Sequence, residues 1–302
     1  MYKESQSQQI LFGHHEIFDI LKNLQFKKKL PNKIILSGEK GIGKCTLAYH
    51  LINYILSINE DFSYDLNNYR INDENKSFKL VLNKSNPNFN LIDVEEGKKN
   101  IDINQIRSLI SNLNKSSFKS SPRLVLIDNI NLLNLNSVNA LLKVIEEPND
   151  NIHFILINSN SRVLPTLKSR CINFKISISK NKLIEIINRI IDQDIYDLIN
   201  EELINYYTTP GQILKILKSS EMFEIDIKNL SLKNFLSLII KNKLYKKDKM
   251  LSELIYSFIE IYFRKNINIK NIQLLNLYNL FLKKIINTKI YNLDEESLFM
   301  EF

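Results

Sequence analysis

At 302 residues, 44% hydrophobic and 25% charged, the chain is too long for one ordinary small domain and reads as globular, with two or three domains and a sizeable core. Its two cysteines, Cys45 and Cys171, exclude a disulfide framework and a four-cysteine zinc site. The formal net charge of +8 permits a nucleic-acid partner, but the positive charges are spread out, and the densest runs, Lys27–Lys29 and Lys241–Lys249, read as solvated surface. The N-terminal stretch MYKESQSQQI lacks the apolar core of a signal peptide and no apolar run approaches a membrane span, so a cytoplasmic protein with no membrane partner is expected.

Ile10 to His14 lead into a helical pattern with Ile17, Ile20, Leu21 and Leu24 on one face, closed by Lys27–Lys29 as a helix C-terminus favours. His14 and His15, with no third ligand nearby, read as N-terminal packing residues rather than a metal site. A short strand, Ile34-Ile35-Leu36-Ser37, then meets Gly38-Glu39-Lys40-Gly41-Ile42-Gly43-Lys44-Cys45. Strand, glycine-rich turn and helix start make a phosphate loop: the glycines let successive N–H groups face a phosphate, and Lys44 reaches its terminal oxygens. The pattern G-x-x-x-x-G-K-[S/T] fails only at its last place, where Cys45 replaces the hydroxyl that holds magnesium. Thr46 follows one position late, about 100° round the helix, and is not a simple replacement. Gly38, Gly41, Gly43, Lys44, Cys45 and Thr46 therefore form a degenerate nucleotide site of doubtful metal chemistry. Leu47, Leu51, Ile52 and Ile55 form the stripe that packs this helix on a sheet.

Residues 57 to 88, rich in Asn, Asp, Ser and Lys, read as a surface insertion without chemistry. Phe89 to Val94 give a strand, and Asp102 with Gln105 gives a capping box opening a helix that turns Ile106, Leu109, Ile110 and Leu113 inward. The apolar run Leu124-Val125-Leu126-Ile127 ends in Asp128, as expected of a buried parallel strand presenting a carboxylate beside the phosphate loop. Asp128 can orient a magnesium-bound water, whereas Asn129, an amide, cannot take a proton from the attacking water. A helix through Val138, Leu141, Leu142 and Ile145 ends at Glu146-Glu147-Pro148. The strand Phe154 to Ile157 ends in Asn158, which either contacts a terminal phosphate or caps the strand. Leu164 to Cys171 precede a last strand, Ile172 to Ile176.

Gly13-His14, the phosphate loop, Asn139-Ala140-Leu141-Leu142-Lys143 with Glu146-Glu147-Pro148, and Leu164-Pro165-Thr166 with Ser169-Arg170-Cys171, in this order, resemble the bacterial DNA polymerase III clamp-loader family, most closely its delta-prime branch. The resemblance is strong over residues 10 to 176. It implies an α/β, AAA+-type P-loop domain with a central parallel sheet at 1–176, a small helical lid at 177–221 and an all-α collar at 222–302. Helical faces at Leu183, Ile186, Ile187, Ile190 and Ile191, then at Leu251, Leu254, Ile255, Phe258 and Tyr262, and at Leu274, Leu277, Tyr278 and Phe281, suit the two helical parts.

The resemblance also implies that Arg170, flanked by Ser169 and Cys171, is an arginine finger entering a neighbouring subunit's ATP site. The partners it implies are motor (gamma/tau) and delta subunits in a heteropentameric ring, with the sliding clamp and primed DNA reached through that complex. Cys45 and Asn129 place the chain with the non-hydrolysing stators, and Gln212, near where motor subunits carry a γ-phosphate-sensing arginine, agrees. An active AAA+ ATPase is the alternative. At most weak ATP or ADP binding is expected, and no zinc, because the segment holding the family's zinc module is here cysteine-free.

Overall fold

The computed structural model describes residues 3–113, 122–146, 151–159, 164–204, 208–247, 249–266, 272–291 and 293–302. Five short apolar runs form strands β1 (Lys33–Gly38), β2 (Phe89–Ile92), β3 (Arg123–Ile127), β4 (Ile152–Ser159) and β5 (Ile172–Lys175). Every pairing is parallel, in the order β2-β3-β4-β1-β5. Helices cover both faces, which is why β1, β3 and β4 read as unbroken apolar runs rather than alternating ones. On one face Ile34, Leu36, Leu124, Leu126 and Ile155 pack with α1 (His15–Phe26), α2 (Lys44–Ser57) and α3 (Lys76–Leu82). On the other, Ile35, Val125, Ile127, Phe154 and Leu156 pack with α4 (Ile103–Leu113), α5 (Leu135–Glu146) and α6 (Pro165–Lys168).

The register brings the ends of β1, β3 and β4 to one edge of the sheet. Ser37 pairs with Asn158 and Gly38 with Ser159, so the phosphate loop leaves β1 beside the end of β4. Asp128 follows the end of β3 at the same edge. Gly38 is demanded by space, because a Cβ there would lie 2.4 Å from the carbonyl oxygen of Ile176.

Two sequence readings of this half need correction. Leu21 is buried and Ile17 and Leu24 pack against the core as expected, but Ile20 is half-exposed and Phe18, not expected there, is fully buried. Phe18 enters a cluster with Tyr54, Tyr64 and Tyr69, and Ile20, two residues and about 200° further round, is turned out. Nor is the segment from 57 to 88 a mere surface insertion, for Tyr64, Ile71, Phe78 and Val81 lie in the core against α2. Buried Asn75 ties it to α2: its Oδ1 accepts from the Asn53 amide (3.0 Å) and from the Phe78 N–H, while its Nδ2 donates to the Phe62 carbonyl.

The chain divides into two compact units, Met1–Lys182 and Leu183–Phe302. Residues 177–182 of the expected lid fall in the first unit; the second is helical and holds the residues expected as lid from Leu183 onward and those expected as collar. It begins within α7 (Lys180–Ile191), whose Leu183, Ile186 and Ile187 are buried, and continues through a short 3-10 turn at Glu201–Leu203 to α8 (Pro210–Met222). The Gln212 side chain caps α8 by accepting the Thr209 N–H at 2.9 Å. There follow α9 (Leu232–Lys241), α10 (Leu244–Lys247), α11 (Lys249–Asn266), α12 (Ile272–Tyr291) and α13 (Glu295–Met300). Leu251, Leu254, Ile255 and Phe258 are buried as their spacing predicts. In α12 Phe281 and Ile285 turn inward, while Leu277, expected inside, is exposed with Leu280, Ile286 and Ile290. Among the described residues, no helix is long and apolar enough to cross a membrane.

Candidate functional site

Gly41 (φ 85°) and Gly43 (φ 98°) adopt the left-handed backbone that makes the loop turn, and α2 starts directly after Gly43. Lys44 is buried, and its Nζ donates to the carbonyls of Gly38 (2.8 Å) and Glu39 (2.6 Å), closing the loop on itself. Burial lowers its pKa to about 8, against the opposing pull of Asp128. His14 braces the same turn. Its Nε2–H donates to the Ile42 carbonyl at 2.6 Å, and its ring lies 3.4 Å from where a Cβ on Gly43 would be. His15 Nε2–H donates to the Leu11 carbonyl, and its ring stacks on Tyr69 at 4.0 Å. Both histidines are thus packing residues.

The thiol of Cys45 donates to Asp128 Oδ2 at 3.2 Å. Burial, reinforced by Asp128, holds the thiol's pKa well above its ordinary value, with a hydrogen bond from Ser5 acting in the opposite sense. Burial also raises the Asp128 carboxyl, with the Cys45 bond and Lys44 countering. Cys45 is therefore a neutral donor that occupies Asp128. A soft sulfur in place of a hard oxygen does not suit magnesium, so the donor set present here does not fit that ion. Thr46 sits half-buried on the next position of α2. Asn158, buried at the end of β4, lies beside Ser37 and so next to Gly38. Asn129 takes a left-handed conformation (φ 75°), and its amide oxygen accepts from Asn131, which also reaches the Ser159 carbonyl.

Two residues were missed in the sequence. Asp93, after β2, adds negative charge that raises both Cys45 and Asp128. The signal for it was present, since an acid follows an apolar strand there as at Asp128. His50, fully buried on α2, donates from Nε2 to the Gln8 carbonyl and accepts at Nδ1 from the Tyr64 hydroxyl, and no local pattern marks it.

Arg170 stands apart from the loop. Its Nε and Nη2 meet Glu146 Oε1 at 2.9 and 2.7 Å, and its Nη1 donates to the Thr166 carbonyl (3.0 Å) and Ser169 Oγ (3.1 Å). None of these partners belongs to the phosphate loop. The Ser169 hydroxyl donates to the same Thr166 carbonyl, stiffening the turn after α6. Cys171 packs against the core of the α4/α5 face, and burial raises its thiol to about 11, so it is a packing residue rather than a nucleophile. Glu147 and Pro148 lie outside the described residues.

The sequence pattern of the family described as "DNA polymerase III, delta subunit" matches residues 13–180, more than half of the chain. The chain belongs to this family. The match covers the phosphate loop, Asp128 and the Ser-Arg-Cys turn. DNA polymerase III subunit delta′ of Pseudomonas aeruginosa is 31% identical over 139 residues, 46% of this chain and 40% of that protein. DNA polymerase III subunit gamma of Buchnera aphidicola from Acyrthosiphon pisum is 28% identical over 197 residues, 62% of this chain and 52% of the relative. The chain thus spans about half or less of the length of these relatives. A DNA polymerase III gamma subunit-related protein from Thermotoga maritima superposes with a TM-score of 0.51 at 16% identity, covering 93% of this chain and 96% of its own. That likeness shows the fold, the AAA+-type arrangement expected from the sequence.

Proposed function

We propose that this family member is the delta-prime-type stator of a cytoplasmic DNA polymerase III clamp loader, which holds a heteropentameric ring with gamma/tau and delta subunits and does not hydrolyse ATP itself. The observation that carries this reading is the 3.2 Å bond from Cys45 to Asp128. It uses the carboxylate that would orient a magnesium-bound water, and it does so with the residue that replaced the metal's hydroxyl ligand. Asn129 supplies no base, and the Lys44 ammonium is spent on loop carbonyls. The loop then holds ATP or ADP weakly at most.

Arg170 supplies the other half of the reading. A guanidinium is planar, permanently charged and able to give two parallel hydrogen bonds to phosphate oxygens, so in a neighbouring subunit's ATP site it stabilises the charge that develops during γ-phosphoryl transfer. The exposed apolar side chains of α12, Leu277, Leu280, Ile286 and Ile290, offer the collar a surface for the other subunits. Through that ring the chain acts on the sliding clamp and primed DNA.

The rival reading is an active AAA+ ATPase, which similarity to the gamma relatives favours. Phosphate release by the purified full chain with magnesium, with and without primed DNA, separates the two. The stator shows no turnover, whereas about 1 to 100 s⁻¹, the range of phosphoryl-transfer enzymes such as kinases, identifies a motor. Native mass measurement after co-expression with gamma/tau and delta subunits tests the ring.

A further inference from the structure

We propose that Glu146 is a built-in counter-ion that parks Arg170 in the free chain and yields it to the phosphate of a nucleotide held by a neighbouring subunit. The inference rests on reading Arg170 as a finger and adds how that finger is regulated. A guanidinium grips phosphate through two parallel N–H groups on one edge. Here both usable edges are committed: Nε and Nη2 to the single oxygen Oε1 of Glu146, and Nη1 to Thr166 and Ser169. Arg170 cannot take a phosphate bidentately until one edge is released.

The geometry points to the Glu146 edge. Thr166 and Ser169 belong to α6 and the turn after it, within four residues of Arg170, so they move with the arginine and keep its side chain extended from that turn. Glu146 belongs to a different element, the last residue of α5, and reaches across 24 residues of sequence. Both members of the pair are open to solvent, with side-chain exposures of 36% for Arg170 and 48% for Glu146. Exposed ion pairs hold their partners by a factor of up to about five. A triphosphate carries more charge than one carboxylate and presents several oxygens, so it outcompetes Glu146 when it arrives, while in its absence the arginine stays ordered and neutralised. Glu146 is thus a positioning residue that sets the cost of deploying the finger.

The test uses Glu146→Gln, which keeps the size and helix propensity but removes the charge. In the full chain, the Arg170 Nε–H proton resonance, assigned by its loss in Arg170→Lys, is expected to exchange slowly in the wild type and faster, at a shifted frequency, in Glu146→Gln. In a ring reconstituted with gamma/tau and delta subunits, attention goes to the part of ATP turnover that Arg170→Ala removes. Glu146→Gln is expected to lower the KM for ATP of that part by up to about fivefold with kcat unchanged, and to have no effect when combined with Arg170→Ala. An Arg170 resonance unaffected by Glu146→Gln, a KM left at the wild-type value, or turnover falling as it does in Arg170→Ala overturns the latch alone. Wild-type turnover in Arg170→Ala overturns the finger and the latch together.

Discussion

Replacing Gly38 by alanine opposes two effects of known sign. Where the backbone is compatible and the space open, Gly→Ala stabilises by about 0.4–1 kcal/mol by restricting the unfolded chain. At Gly38 the added Cβ meets the Ile176 carbonyl oxygen at 2.4 Å and its carbonyl carbon at 3.3 Å. A carbon-to-oxygen contact of about 3.3–3.6 Å is ordinary, so the two backbones must part by about 1 Å. Neither yields easily. Gly38 ends β1 paired with Ser159, and Ile176 donates its N–H to the Ser37 carbonyl at 2.7 Å while its side chain is buried in the core. Overpacking of this kind costs about 1–3 kcal/mol. Less the unfolded-state gain, the net loss is about 0–2.6 kcal/mol, and at roughly 2–4 °C per kcal/mol for a unit of this size Tm falls by up to roughly 10 °C. Scanning calorimetry of the full chain measures it. A Tm raised above wild type refutes the close approach of β1 to the segment after β5 and with it the positioning of the loop.

Burial pushes the His50 imidazole down to about 4, so between that value and the unfolded pKa of about 6.5 the folded chain binds fewer protons than the unfolded one. Stability therefore falls as pH drops through this window, by about 3 kcal/mol in all. His50→Gln, which can still accept from Tyr64 and donate to Gln8, is expected to flatten that slope in urea titrations from pH 7 to 4; an unchanged slope assigns the acid sensitivity elsewhere. Cys45→Ala removes the donor to Asp128 and is expected to cost about 1.5–3 kcal/mol and raise the Asp128 carboxyl further in an NMR titration. Cys45→Ser keeps a donor and loses less, and equal losses in the two variants contradict the thiol–carboxylate bond.

The sheet was legible because buried parallel strands leave an unbroken apolar run, and Leu124 to Ile127 and Phe154 to Ile157 are inaccessible in the structure as read. The phosphate loop and the Asp102–Gln105 cap were legible because their chemistry depends on fixed short spacings; the Gln105 side chain does accept the Asp102 N–H, at 2.9 Å. What escaped depends on contacts that no period encodes. Asn75, in the stretch read as a surface insertion, instead meets Asn53 inside the fold, 22 positions away. The bond from Cys45 to Asp128 spans 83 positions and that from Arg170 to Glu146 spans 24. Helical spacing identified the α12 stripe, but not that Leu277 would be left outside it.

Arg170→Ala in an assembled ring tests the central claim most directly. Ring formation is first established by gel filtration, and DNA-stimulated ATP turnover and clamp loading are then compared with wild type and with Arg170→Lys. Arginine fingers are worth about 10³–10⁵ in rate at the site they serve, but one site of several loses its finger here, so the bulk turnover falls far less. Clamp loading, if every site must fire, falls more. Lysine keeps the charge and loses the fork, and its ring behaves more like that of alanine than of arginine. The account predicts an intact ring with reduced turnover and impaired loading. An Arg170→Ala ring that loads clamps at the wild-type rate contradicts it.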